Sequence, residues 1–206
     1  MNAPSLIRKT IILLACMLAL VIGIGYTLPG TFHVERTLVV DKAPAVVFPM
    51  INDLTNWRRW DPWSQDDPHL RRELNGGPGV GQTQDWASQA SGTGSIKIIE
   101  SQKDRFVKLQ LTTRSTSHPR FLSFTLKDLG GKTKLTWAID GENSLKPIGN
   151  YFGLGMNRYL GPMYEQGLSN LKSLIETGKL PDLVEAKRKR HAEKIDEQKR
   201  KMNRSR

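Results

Sequence analysis

The chain has 206 residues, a net charge of +11 and one cysteine, Cys16, which excludes an internal disulfide and a thiolate metal site. Residues 187–206 hold ten Lys and Arg against three acidic residues, so that residues 31–186 keep a net charge of only +2. A domain this close to neutral presents no broad electrostatic field to nucleic acid, and a nucleic-acid-binding function is not favoured.

The N-terminal region contains an apolar run at residues 10–28, directly after Arg8 and Lys9. A helix of this length spans roughly 28 Å, which matches the hydrocarbon core of a bilayer. The sequence therefore predicts a single-pass transmembrane anchor at residues 10–28, after a cytoplasmic N-terminus at residues 1–9. The alternative is a cleaved signal peptide, but no A-x-A cleavage site follows the run. The two basic residues favour a cytoplasmic N-terminus, which places the remaining chain on the extracytoplasmic, periplasmic side.

The next segment predicts a strand followed by two short helices. Residues 31–41 alternate between apolar and polar side chains with a period of two, as a strand does. Residues 42–63 show helical spacing, and Pro49 limits the length of the first helix. The two helices are expected to meet near Asn52 and Asp53. The spacing of the tryptophans there predicts that they share one face; they are Trp57, Trp60 and Trp63.

The rest of the folded region predicts about six more strands and one long helix. The strands alternate and are separated by turn residues; they lie at residues 71–75, 82–87, 95–101, 104–113, 119–128 and 132–140. Residues 150–177 then carry apolar side chains at spacings of three and four, which indicates an amphipathic helix. Gly178 suits a left-handed C-cap, and Pro162 predicts either a kink or a break. An α+β domain at residues 31–178 follows.

The C-terminal segment, residues 179–206, is a basic, charged tail. Its opposite charges recur four residues apart, which supports a solvated helical or flexible arm. The functional alternative is contact with anionic lipid or with an acidic protein partner.

Several residues in the predicted domain carry a family resemblance. They are Ala43-Pro44 with Val47-Phe48, Asn52-Asp53, Trp57, Trp60, Pro62-Trp63, Gly79, Gly81, Trp86, Gly92, Gly94, residues 133–137, Gly161-Pro162 and residues 165–176. In this order they resemble the START-like superfamily of helix-grip domains, also called SRPBCC, and within it the polyketide cyclase/dehydrase-like branch. The resemblance implies a curved antiparallel sheet wrapped around a long C-terminal helix, with a ligand cavity between them. It covers nearly all of residues 31–178, but the superfamily includes carriers, receptors and enzymes, so function stays open.

Catalytic and metal-binding residues are not identified by the sequence. No two histidines are four residues apart and no HExxH motif occurs, so no metal or other cofactor is expected. The aspartates near the tryptophans suit helix caps and turns. If the protein is an enzyme, its polar group would come from Asp53, Asp61, Asp85 or Arg114, but we favour a protein without catalytic activity.

Aromatic residues are better candidates for a ligand-binding site, because aromatic cavity walls bind apolar ligands by area and stacking. The predicted ligand-binding residues are Trp60, Trp63, Trp86, Arg114, Trp137 and Tyr159. The alternative for each aromatic is ordinary core packing. The leading hypothesis is a membrane-anchored helix-grip domain that binds a small hydrophobic ligand or lipid. The alternatives are a polyketide cyclase- or hydrolase-like enzyme and a non-catalytic interaction subunit of a membrane complex.

Overall fold

A computed structural model describes residues 3–67, 70–89, 92–114, 118–142 and 146–181. The predicted basic tail lies outside the described residues from position 182 onward. The helices are α1 (Ala3–Thr27), α2 (Pro44–Asn52), α3 (Pro62–Asp66) and α4 (Ile148–Thr177), with a 3-10 helix at Leu54–Arg59. The strands are β1 (Thr31–Val40), β2 (Arg71–Asn75), β3 (Thr83–Ser88), β4 (Gly92–Gln102), β5 (Phe106–Thr113), β6 (Arg120–Asp128) and β7 (Thr133–Glu142).

The strands form one curved antiparallel sheet in the order β1-β7-β6-β5-β4-β3-β2. Strands β2 to β7 follow one another as a meander, and β1 pairs with β7 at the far edge. Alternate side chains of β6 are buried, namely Leu122, Phe124 and Leu126, and they lie opposite inward-facing residues of β7. This period of two places one face of the sheet against the core. The predicted α+β helix-grip architecture is confirmed.

Helix α4 lies against the core through the apolar stripe that the sequence indicates. Its Leu160, Tyr164, Leu168 and Leu171 are all at most 8% exposed. The helix ends as predicted, because Gly178 has a φ of 75° and its N–H donates to the carbonyl of Leu174 at 3.0 Å. A left-handed residue of this kind closes many helices.

The proline within α4 neither splits nor ends the helix. Pro162 is exposed, so the backbone bond that it cannot make falls on the solvent side of the helix, where water can satisfy the free carbonyl.

Two side-chain hydrogen bonds also join α4 to β1. Arg36 Nε donates to Glu165 Oε1 at 2.6 Å, and Lys172 Nζ donates to the Val39 carbonyl at 2.6 Å.

The segment between β1 and β2 forms three short helical elements rather than the two predicted. Asp53 caps the 3-10 helix by accepting a hydrogen bond from the Thr55 N–H at 2.9 Å. Asp61 caps α3 by accepting from the Ser64 N–H at 2.9 Å. The extra element arises because Asp61 is followed by Pro62, a cap and a first-turn proline that together start a new helix.

Helix α1 contains the apolar run, and it is long and apolar enough at Ile7–Thr27 to cross a membrane. Almost none of this segment is buried against the rest of the chain. A signal sequence near an N-terminus has the same properties. The position of this helix agrees with the predicted span at residues 10–28.

Truncation of the α4 stripe is expected to destabilise the domain strongly. Leu168→Ala or Leu171→Ala should lower the free energy of unfolding by about 2–5 kcal/mol, because each leaves a cavity in a closed core. Leu129→Ala is the matched control, since Leu129 is 47% exposed and should change stability by no more than about 0.5 kcal/mol. Denaturant unfolding of the full chain, followed by tryptophan fluorescence, measures the difference. Equal losses in all three variants would contradict the assignment of α4 to the core.

Candidate functional site

A cluster of aromatic side chains fills the centre of the space between the sheet and α4. Trp137 stacks with Tyr164 at a centroid distance of 4.0 Å and with Phe124 at 5.0 Å. Other rings contact Trp137 by their edges. We call this set the aromatic cluster; its members are Trp57, Trp60, Trp63, Phe124, Trp137 and Tyr164. Stacked and edge-to-face pairs of this geometry stabilise a core beyond the area that they bury.

Three of the six predicted ligand-binding residues belong to the aromatic cluster. Trp60 and Trp137 have no exposed surface, and Trp63 is half-buried against Trp137 and Tyr164. The Trp60 indole N–H donates to the Met50 carbonyl at 3.1 Å. In this conformation Trp60 and Trp137 are core residues, and only Trp63 reaches the surface.

The other three predicted ligand-binding residues lie apart from the cluster. Trp86 is half-buried on β3, near the far edge of the sheet. Arg114 is exposed directly after β5, and Tyr159 is 69% exposed on α4. The structure therefore does not bring the six residues into one site.

Two of the three aspartates considered for catalysis, Asp53 and Asp61, make structural contacts, and the third, Asp85, lies half-buried on β3. Asp61 is buried and pairs with Arg72 Nη2 at 2.9 Å, and it also accepts a hydrogen bond from Ser64 Oγ at 2.5 Å. Although burial acts in the opposite direction, hydrogen bonds from Gln82 and Thr55 hold the pKa of Asp53 below its ordinary value. An ionised, capped carboxylate is poorly suited to act as a general acid. These groups stabilise the short helices.

A half-buried arginine marks one end of the space between the sheet and α4. Arg120 is the first residue of β6, and its guanidinium lies 5.4 Å from the centre of the Phe32 ring. Its Nε is buried and has no hydrogen-bond partner among the described residues, and the same is true of Nε1 of Trp137. Burial lowers the pKa of Arg120, and the nearby Tyr164 acts in the opposite direction. A desolvated cation with no anion beside it among the described residues is costly.

Tyr164 lies near Arg120 and contributes a neutral donor. Burial raises the pKa of the Tyr164 phenol far above its ordinary value, despite the neighbouring positive charge of Arg120. The phenol therefore keeps its proton and can donate a hydrogen bond. Arg120 and Tyr164 together offer one charged and one neutral donor close to each other.

A groove of about 570 Å³ runs across this end of the sheet. It is lined by Thr31, Phe32, His33, Pro119, Phe121, Asp140, Gly141 and Glu142. We call it the end groove. A Cβ on Gly141 would lie 2.6 Å from the Phe32 ring and 3.0 Å from Arg120, so glycine is needed for these two side chains to meet. The end groove also lies next to α1, because β1 begins four residues after α1 ends.

The outer wall of the end groove carries a histidine between two carboxylates. His33 Nδ1 lies 2.7 Å from Asp140 Oδ1, and Nε2 lies 3.5 Å from Glu35 Oε2. The hydrogen bond to Asp140 raises the pKa of His33, with a smaller contribution from Glu35. His33 therefore keeps its positive charge to a higher pH than an unperturbed histidine does.

Arg120 and Phe32 were not among the predicted site residues. The sequence does contain one signal for Arg120, namely its position in the strand. At a period of two, position 120 shares the buried face of the strand with Leu122, Phe124 and Leu126. A charge in an otherwise apolar inward-facing series is an exception to the usual pattern of burial and is informative for that reason.

Comparison with known proteins identifies similar sequences and folds. Residues 31–176 match the sequence family described as polyketide cyclase/dehydrase and lipid transport. No curated protein matches the chain. Among the solved structures that share the fold is the Aha1 dimer of Colwellia psychrerythraea, with 15% identity, a TM-score of 0.51, and 71% of this chain and 98% of that chain covered. XoxI of Bacillus cereus has 12% identity and a TM-score of 0.53, with 71% of this chain and 96% of that chain covered. A protein of Nitrosospira multiformis has 14% identity and a TM-score of 0.52, with 71% of this chain and 97% of that chain covered. At these identities the likeness extends to the fold alone.

The pair of His33 and Asp140 is expected to show a defined pH dependence. Because the folded-state pKa of His33 is raised above the ordinary 6.5, the pair stabilises the fold fully below about pH 6.5. That contribution is lost as pH rises through the raised folded-state pKa. NMR titration of the His33 ring should show a lower pKa in Asp140→Asn and a smaller decrease in the control Glu35→Gln. An unchanged pKa in Asp140→Asn would rule out the pair.

Proposed function

The chain belongs to the polyketide cyclase/dehydrase and lipid transport family, and from this premise we propose that it is a membrane-anchored domain that binds a small hydrophobic ligand or lipid. In this proposal α1 crosses the membrane and stays attached to the domain. The domain then lies on the extracytoplasmic side, as Arg8 and Lys9 before the span favour.

The proposal of a binding function rests on the environment of Arg120. Its guanidinium is half-buried, and it forms no ion pair with the residues that the structure describes. A cation kept in this environment gains most from a carboxylate or phosphate, which accepts charge-assisted hydrogen bonds. A hydrophobic ligand with an anionic head group supplies such a partner and also covers the apolar surface around it.

The surroundings of Arg120 suit the apolar part of such a ligand. Arg120 adjoins the end groove without lining it: its chain neighbours Pro119 and Phe121, and the Phe32 ring beside its guanidinium, supply the apolar part of the lining. The groove has the volume of a small-molecule site. The aromatic cluster closes the centre of the domain. We therefore place the ligand at the end of the sheet nearest α1, with its head group toward Arg120 and Tyr164, instead of along the whole length of α4.

This arrangement supports binding and not a reaction. Arg120 and the Trp137 N–H can only donate hydrogen bonds to an oxygen of the ligand, and the protonated Tyr164 hydroxyl can donate one as well. Asp53 and Asp61 are held in helix caps and an ion pair. The chemistry available at the site is orientation of a polar head group and exclusion of water from an apolar chain.

The filled centre of the domain also supports a second candidate, a non-catalytic interaction subunit of a membrane complex. In that case the aromatic cluster is only a stable core. The contacts would come from α1 and from the basic tail at residues 179–206, which suits anionic lipid or an acidic protein.

A fluorescent fatty acid tests the binding proposal. The full chain in detergent micelles should bind the probe, and Arg120→Gln should weaken binding at least severalfold, because the head group loses a charge-assisted hydrogen bond from the guanidinium. Arg105→Gln is the matched control, since Arg105 is an exposed arginine in the turn at the opposite end of β5.

The two candidates give different results in this experiment. Equal probe binding by wild type, Arg120→Gln and Arg105→Gln would contradict the assignment of Arg120. No probe binding by the wild type, with a normal thermal melt, would favour the interaction subunit instead.

A further inference from the structure

The first two turns of α4 expose large apolar side chains. Ile148 is 64% exposed, Phe152 is 71% exposed and Leu154 is 63% exposed. Together they give these two turns an exposed apolar surface on either side of Tyr151, on a helix whose later turns bury one face in the core. We call this surface the α4 apolar face. An exposed patch of this kind marks a surface that meets an apolar partner.

This part of α4 is joined to the end of α1. Asn150 Nδ2 donates to the Gly25 carbonyl at 2.9 Å and to the Leu28 carbonyl at 3.2 Å. The Tyr151 hydroxyl donates to the Val21 carbonyl at 2.5 Å. A Cβ on Gly25 would lie 2.9 Å from the Tyr151 ring, so the two helices meet closely at a glycine.

These contacts fix the position of the start of α4 along the axis of α1. Val21 lies six residues before the end of α1 at Thr27, a distance of about 9 Å along a helix. Because Tyr151 reaches the Val21 carbonyl, the first turn of α4 lies beside the last two turns of α1. Those turns are apolar and, apart from Gly25, largely exposed.

The exposed apolar side chains flank Tyr151 on the helix surface. At 100° per residue, Ile148 and Phe152 lie on one side of Tyr151 and Leu154 lies on the other. Exposed apolar side chains of α4 therefore flank the contact between Tyr151 and α1. Arg158 follows seven residues after Tyr151 on the same side and is exposed, at a position suited to lipid phosphates.

We propose that the first two turns of α4 form an interfacial segment that inserts the α4 apolar face into the bilayer crossed by α1. The inference rests on the transmembrane role proposed above for α1. Amphipathic segments of this kind bury their apolar side about 5–10 Å into the head-group boundary. Tyr26, which is 66% exposed near the end of α1, and Tyr151 lie where interfacial tyrosines are enriched.

The contacts between α1 and α4 favour lipid as the partner of the α4 apolar face. Ile148 and Phe152 lie beside apolar turns of α1 that face lipid if α1 spans, so the same lipid surface continues across both helices. Two attachments, α1 and the α4 apolar face, would also limit rotation of the domain. The end groove, next to the α1–α4 junction, then faces the membrane surface, where a lipid can reach it without crossing water.

Site-specific fluorescence on the full chain tests this arrangement. In a Cys16→Ala background, single cysteines replace Phe152, Leu154, Leu18 or Leu129 and carry an NBD label. Leu18 lies in α1 and reports whether α1 spans, whereas Leu129 is an exposed leucine in the turn at the far end of β6. Each variant is reconstituted in phosphatidylcholine nanodiscs with and without a lipid that carries a doxyl quencher on its acyl chain.

The proposal predicts severalfold stronger doxyl quenching at positions 152, 154 and 18 than at position 129. Quenching at 18 but only the position-129 level at 152 and 154 would overturn the interfacial segment and leave the anchor intact. No quenching at 18 would overturn both. A blue-shifted NBD emission at 152 that depends on protein concentration and resists doxyl would assign the α4 apolar face to a second copy of the chain, against the proposal.

Discussion

The stacking of Trp137 on Tyr164 is the contact on which the domain depends. It joins the middle of β7 to the middle of α4 at a centroid distance of 4.0 Å, and Phe124 and the tryptophans of the short helices pack around it. Both residues are buried, so separating them would open the core and forfeit the dispersion contacts of several rings. The sheet, the short helices and α4 therefore contact one another through this group of rings.

That central contact limits where the protein can bind anything. Where the interior is filled, a ligand needs an end or an edge, and the end next to α1 has the polar groups that a closed core avoids. Arg120 Nε and the Trp137 indole N–H are buried donors without acceptors among the described residues, which is a cost that folded proteins seldom retain without a reason. The polar end and the apolar start of α4 lie on the same side of the domain, next to α1.

The fold was predictable because its signals are local and periodic. Alternation marked β1 and β4 to β7, and Gly178 marked the end of α4. The candidate site was less predictable, because residue type does not show which aromatic lies at a surface. Trp137 and Tyr159 are both aromatic, yet packing buries the first completely and leaves the second 69% exposed. Arg120 could have been noticed from its register on β6, but its proximity to Phe32 depends on strand pairing across β7.

Native mass spectrometry of the full chain, extracted from its own membranes in a mild detergent, shows whether the domain holds a hydrophobic ligand. We expect a population of the protein that carries one small molecule of lipid or fatty-acid mass. That molecule should have an anionic head group and should dissociate on gentle activation. Spectra that show only the bare chain, under conditions that preserve its fold, would contradict ligand binding as the function of this domain.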